Sequence, residues 1–240
     1  RDDFRMYLQP KFILGERHVY GAEALARWRR PDGTILPPAY FMDPLEKIGY
    51  ITELDFYIFE EVLKTLDKWE RQKRRKLVIS TNFSGRHFDT DGEEFLDRIQ
   101  HIFSKYTVPA EYVEIEVTEG VLVKNVHVLE RCVNRLHEIG FRVSIDDFGT
   151  GYSSLSVLAD MPADVVKIDK SFINKDMNGK KMDILYEIGR MVKILQKDII
   201  IEGVETEEQE KLLINGGFTC GQGYLCNKPI PIGEFEKLYL

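Results

Sequence analysis

Short runs of apolar and β-branched residues alternate with amphipathic stretches along the whole chain. The runs near Met6–Phe12, Gly21–Trp28, Leu77–Asn82, Val113–Val117, Arg142–Ile145, Val165–Ile168, Ile199–Glu202 and Phe218–Gly221 read as strands. Between them the period changes to that of a helix. Leu54, Ile58, Val62 and Leu66 form one apolar face, and Leu129, Val133 and Leu136 form a second, which Gly140 closes as a C-terminal cap. Ile184, Ile188, Val192 and Leu195 form a third. Regular strand–helix alternation implies parallel strands joined by right-handed crossovers. About eight strands in this length predict a closed α/β barrel of the TIM-like (β/α)8 type rather than an open sheet. One link departs from the rule. Only Ile13 to Tyr20, with Gly15 among them, separate the first two strands. That is too short for a helical crossover, so the first strand pair is expected to be antiparallel. No internal repeat, low-complexity tract or Pro/Ser-rich linker divides residues 1–240, which therefore read as a single domain.

Composition narrows the class. A hydrophobic fraction of 43% is ordinary for a folded core, and a formal net charge of −7 argues against a duplex nucleic-acid surface. The basic run Arg71 to Lys76 reads as the solvated end of a helix. Three irregularly spaced cysteines, Cys132, Cys220 and Cys226, make no disulfide framework and point to a reducing, cytoplasmic setting. There is no apolar stretch long enough to span a bilayer and no signal-peptide pattern, so no membrane contact is expected from this segment. A start at Arg1 without an initiator Met suggests a module cut from a longer multidomain protein, in which missing segments could supply a membrane anchor.

In such barrels chemistry gathers at the C-terminal ends of the strands. Reading each strand to its end yields Glu23, then Asn82, Glu116, the pair Asp146 and Asp147, Lys167, Glu202 and Gln222. From Asn82 onward these polar residues recur at intervals of roughly 20 to 35, about one per β/α unit. A single strand-end carboxylate is usually a helix cap, but a polar side chain from each successive strand points to a shared site. Asp146 opens the run Asp-Asp-Phe-Gly-Thr-Gly-Tyr-Ser-Ser-Leu. Adjacent strand residues face opposite ways, so both carboxylates can serve one site only if the strand ends there and the chain is turning. Asp146 and Asp147 can be read as a capping pair with ordinary turn glycines after them, or as a metal-holding pair whose repulsion a divalent cation relieves.

Glu23, Asn82, Glu116, Asp146 and Asp147 offer only oxygen, which suits Mg²⁺ or Mn²⁺ rather than zinc or copper. So many carboxylates could hold two ions about 4 Å apart, an arrangement for in-line displacement at phosphorus. Lys167 reads as the counter-ion of the cluster and as a group that holds the attacking water. Glu202 is the candidate base. His18, His87, His101, His127 and His137 fall in turns or helical stretches and are expected at the surface rather than on a metal.

With these residues in place, the chain resembles the EAL-domain phosphodiesterases, whose signature is matched by Glu23-Ala24-Leu25. The resemblance runs from Tyr7-Leu8-Gln9-Pro10 to Gln222-Gly223-Tyr224-Leu225. It implies hydrolysis of cyclic di-GMP to the linear dinucleotide 5′-pGpG with Mg²⁺ or Mn²⁺, two ions in all. By position it implies that Glu23, Asn82, Glu116 and Asp146 hold one ion and that Asp146 and Asp147 hold the second. It gives Lys167 the water, Glu202 the proton and Glu205 a supporting place beside Glu202. It has Glu119 bracing the loop after Asp146, and a dinucleotide site lined by Gln9, Leu25, Arg27 and Gln222. A homodimer and an upstream sensory or diguanylate-cyclase-like domain are implied partners. The chain departs from the usual pattern at Asp43-Pro44 and at Cys226-Asn227, near the expected guanine pockets. The alternative reading is a catalytically silent cyclic di-GMP receptor. Further rivals are a barrel hydrolase acting on linear dinucleotides and a purely structural barrel.

Overall fold

The computed structural model of the protein describes residues 3–151, 155–173 and 179–240. Residues 152–154 of the Asp-Asp-Phe-Gly run lie outside the described residues.

Eight strands close into a barrel: β1 (Phe4–Ile13), β2 (Val19–Arg29), β4 (Val78–Phe83), β5 (Val113–Thr118), β6 (Arg142–Phe148), β7 (Val165–Ile168), β8 (Asp198–Glu202) and β9 (Cys220–Gln222). Neighbours from β2 through β4 to β9 pair parallel, while β1 pairs antiparallel with both β2 and β9 and closes the ring. The predicted reversed strand is therefore β1. Its turn into β2 is tight: Gly15 and Arg17 take left-handed backbone angles of 82° and 52°, and the Ile13 N–H donates to the His18 carbonyl. Two short strands escaped the sequence pattern. β3 (Ile35–Leu36) extends β2 above the barrel, and β10 (Ile230–Pro231) lies against β1. Two residues are too few to show any alternation.

The outer layer comprises α1 (Met42–Lys47), α2 (Ile51–Arg71), α3 (Glu93–Phe103), α4 (Glu119–Lys124), α5 (Val126–Ile139), α6 (Leu155–Asp160), α7 (Lys180–Ile194), α8 (Glu207–Asn215) and α9 (Ile232–Tyr239). Leu54, Ile58, Val62 and Leu66 are buried along α2, and Leu129, Val133 and Leu136 along α5. Gly140 ends α5 at φ 103°, where its N–H reaches the carbonyls of Leu136 and His137. The third predicted face is corrected. In α7 the buried residues are Met182, Leu185, Gly189 and Val192, and Ile184 is exposed. Gly189 is where Phe218 packs so close that a β-carbon would collide with its ring. The side of the helix that approaches the barrel thus contains a glycine, which an apolar count overlooks.

Two further expectations change. β6 does not stop at Ile145: it runs to Phe148 with its pairing to β7 shifted between Ile145 and Phe148, and Asp147 adopts φ 56°. A bulge, not a strand end, breaks the alternation. His87 is buried and His137 half-buried, whereas His18, His101 and His127 are exposed. His87 is taken inside because Asp55 of α2 meets its Nε2 at 3.0 Å.

Candidate active site

Strand alternation decides which side chains enter the barrel. On β5, Glu114 and Glu116 share one face, and on β2 Glu23, Leu25 and Arg27 share another. Parallel registry sets Asn82 beside Glu116 and Glu202 beside Gln222, while Gln9 stands opposite Glu23 across the antiparallel pair. The C-terminal mouth thereby gathers side chains that are distant in sequence.

Lys167 is at the centre, fully buried. Its Nζ lies 3.0 Å from Glu116 Oε2, 3.0 Å from Asp146 Oδ1, 2.9 Å from Glu202 Oε1 and 3.3 Å from Glu23 Oε2. Glu23 also accepts from Asn82 Nδ2 at 2.7 Å and from Gln222 Nε2 at 2.5 Å. Gln222 Nε2 further reaches Gln9 Oε1 at 3.3 Å. One carboxylate oxygen each from Glu23, Glu116 and Asp146 lie within 4.8 Å of one another, and so do one each from Asp146, Asp147 and Glu202. Asp146 belongs to both groups. The bulge at Asp147 is what lets two consecutive aspartates reach one centre.

A second buried lysine stands deeper. Lys11 Nζ on β1 is 2.8 Å from Glu114 Oε1 and 2.9 Å from Glu116 Oε1. Burial opposes the charge on Lys11, but Glu114 and Glu116 prevail and its pKa is pushed up to about 12. Glu116, caught between the two ammonium groups, is held down at about 2 despite its burial. The other acids shift the opposite way. Burial raises Asp146 to about 7 against the pull of Lys167, with Glu202, Glu116 and Asp147 adding repulsion. Burial likewise raises Glu23 and Glu202, against the pull of Lys167. The mouth thus holds more carboxylate than two lysines can neutralise. A donor set of oxygens only, in two groups sharing Asp146, fits hard divalent cations.

The remaining predicted residues are more dispersed. Glu119, the first residue of α4, is buried, and its Oε2 accepts from the N–H groups of Gly149 and Gly151 at 2.8 and 3.0 Å. The loop after β6 is thereby tied to the end of β5. Leu25 and half-buried Arg27 stand above Glu23 on the part of β2 that rises beyond the ring, where the Arg27 guanidinium lies 5.6 Å from the Tyr7 ring centroid. Glu205 is exposed, outside both carboxylate groups, and its backbone N–H donates to Gln209 Oε1. Lys11 and Glu114 were missed by the strand-end reading because they lie one layer below it. The available signal was Glu-Ile-Glu on β5 and a lysine two residues after Gln9, and so on the same face of β1.

Residues 1–229 match the family model described as EAL domain. Over 240 residues, 100% of this chain, the sequence is 36% identical to the signaling protein YkoW of Bacillus subtilis. Over 237 residues, 98% of this chain, it is 32% identical to the cyclic di-GMP phosphodiesterase NbdA of Pseudomonas aeruginosa. It spans 30% of the length of each. A solved structure of the PaMucR phosphodiesterase in complex with c-di-GMP superposes with a TM-score of 0.91 at 29% identity, covering 98% of this chain and 95% of that one.

Proposed function

Because the chain belongs to the EAL domain family, we propose that it is a divalent-metal-dependent phosphodiesterase that hydrolyses cyclic di-GMP to 5′-pGpG. The observation that carries this reading is the pair of carboxylate groups sharing Asp146 around the Lys167 ammonium. Glu23, Asn82, Glu116 and Asp146 would hold one Mg²⁺ or Mn²⁺, and Asp146 with Asp147 a second. When bound, such ions polarise phosphoryl oxygens and make water a nucleophile near neutral pH.

The chain's own groups do the rest. Glu202 accepts the proton of the attacking water, a role supported by the upward shift that burial gives its carboxyl. Lys167, 2.9 Å from Glu202, orients that water and offsets negative charge growing on the phosphoryl group. The new bond forms between water oxygen and phosphorus. The bond to the 3′ oxygen breaks, and that oxygen leaves with its electron pair and takes a proton from solvent. The product carries a 5′-phosphate and a free 3′-hydroxyl. Gln9, Leu25, Arg27 and Gln222 line the dinucleotide in this reading, with the planar Arg27 guanidinium on a phosphate. Glu119 keeps the loop after Asp146 in place, and Glu205 supports Glu202 from the rim. A homodimer and an upstream input domain complete the proposal, and sedimentation of the chain tests the first of these.

The direct test is incubation with cyclic di-GMP and Mn²⁺, followed by chromatography of the products. The expected product is pGpG, and Glu202→Gln should lower kcat by about 10²- to 10⁴-fold while the barrel stays folded. Binding without turnover by the unaltered chain would make it a receptor instead.

A further inference from the structure

The deeper lysine has no part in the mechanism above, yet it is almost fully enclosed and faces two acids. β1 and β5 are not neighbours in the ring, so Lys11 reaches across the lumen to touch β5. Small residues accompany this path. Gly21 stands opposite Lys11 on β2, and Ser80 and Ser144 flank Glu114 and Glu116 on β4 and β6. A buried ion pair is seldom a net gain in stability over a well-packed apolar pair. Its place one layer beneath the mouth, sharing Glu116 with Lys167, ties it to what the mouth does.

Glu116 is divided between two cations: Oε1 belongs to Lys11 at 2.9 Å, and Oε2 faces Lys167 at 3.0 Å. The partner acid is itself anchored, since Glu114 Oε2 lies 3.7 Å from Arg142 Nε and Arg142 holds Asp198 at 2.7 Å on the opposite face of the barrel. We propose that Lys11 is a positioning residue that occupies Glu116 Oε1 from below, fixes the plane of that carboxylate and leaves Oε2 alone to face a divalent cation at the mouth. The inference rests on the metal-dependent reading of the site. It adds that Glu116 binds through one oxygen and that this choice is made one layer beneath the ligands.

The test is Mn²⁺ affinity of the otherwise unaltered chain, by calorimetry with the ion alone. Glu114→Gln keeps the Lys11–Glu116 contact and should bind Mn²⁺ within about twofold of the unaltered chain. K11M/E114Q removes one charge of each sign and should bind at least tenfold more weakly. With saturating Mn²⁺ it should show a lower kcat on cyclic di-GMP but an unchanged KM. If K11M/E114Q fails to give a folded circular dichroism spectrum, K11M/E114L, an apolar pair of similar bulk, takes its place with the same expectation. Mn²⁺ affinity equal to that of E114Q in either folded double variant overturns the role of Lys11, as does an equal loss in E114Q alone. An unaltered chain that binds Mn²⁺ but leaves cyclic di-GMP intact removes the enzymatic reading and still measures Lys11 through the ion.

Discussion

Two of the regions in which this barrel buries carboxylates meet the buried charge differently. At the mouth, Glu23, Glu116, Asp146 and Glu202 crowd one ammonium group, and three of the four are pushed toward their protonated forms by burial. Behind the wall, between α2 and β4, Asp55 is matched to its surroundings. Its Oδ2 accepts from the Ser84 N–H at 2.8 Å and from His87 Nε2 at 3.0 Å. Phe56, Phe83 and Phe95 enclose that histidine with ring centroids 5.0 to 5.3 Å away. Burial raises the Asp55 carboxyl too, but His87 and the Ser84 N–H oppose that rise and only Glu46 adds a lesser repulsion, so here one buried acid meets its own donors instead of a crowd of other acids. The mouth leaves a surplus of like charge that no folding argument requires. A surplus of this kind supports the proposal that a cation from outside binds there.

The strongest way to break this contrast is to remove the central cation. Lys167→Met strands four carboxylates and should cost the metal-free protein about 3–5 kcal/mol in urea unfolding. Saturating Mn²⁺ should return much of that loss, and no recovery would mean that the acids are not arranged for a divalent ion. The matched region should respond less. Asp55→Ala leaves one backbone N–H and one imidazole without their acceptor, for a cost of about 1–3 kcal/mol. Mn²⁺ affinity should stay within about twofold, and a large drop would merge the two regions into one functional unit.

Acidity sharpens the comparison further. A proton on Asp146 competes with any cation, so Mn²⁺ affinity should rise by up to roughly tenfold per pH unit below about 7 and level off above it. The metal-free protein should show the reverse trend. A carboxyl raised in the folded state contributes stability that is complete below the ordinary carboxylate range and is lost as pH climbs through about 7. Urea midpoints between about pH 5 and about pH 8, with and without Mn²⁺, check the sign. The smallest effect belongs to the outer edge of the aromatic layer. Arg98 lies 3.9 Å over the Phe56 ring and pairs with Glu53 at 2.6 and 3.0 Å. Arg98→Ala should cost only about 0.5–1 kcal/mol, because the pair is partly solvated.

Much of this was legible in the residue order. The alternation of strands and helices predicted the barrel, and the eight residues between the first two strands predicted the reversed one. Polar strand ends named Glu23, Asn82, Glu116, Asp146, Lys167, Glu202 and Gln222 because parallel registry brings every strand end to the same rim. Three features resisted. The inward face of α7 turned on the close approach of Phe218 to Gly189, which concerns a neighbour more than twenty residues away. His87 went inside because a distant acid on α2 receives it. The Asp146–Asp147 pair reached one centre through a bulge, whereas the sequence suggested a strand that had ended.

The chain alone determined its period, its count of barrel strands and the chemistry of its strand ends, because each depends on local geometry and on residue type. The fold decided which acids share a cation, since that depends on the stagger of strands across a closed ring. It also decided that Lys11 crosses the lumen to Glu116, a contact between strands that are neither consecutive nor adjacent and that no local pattern could record.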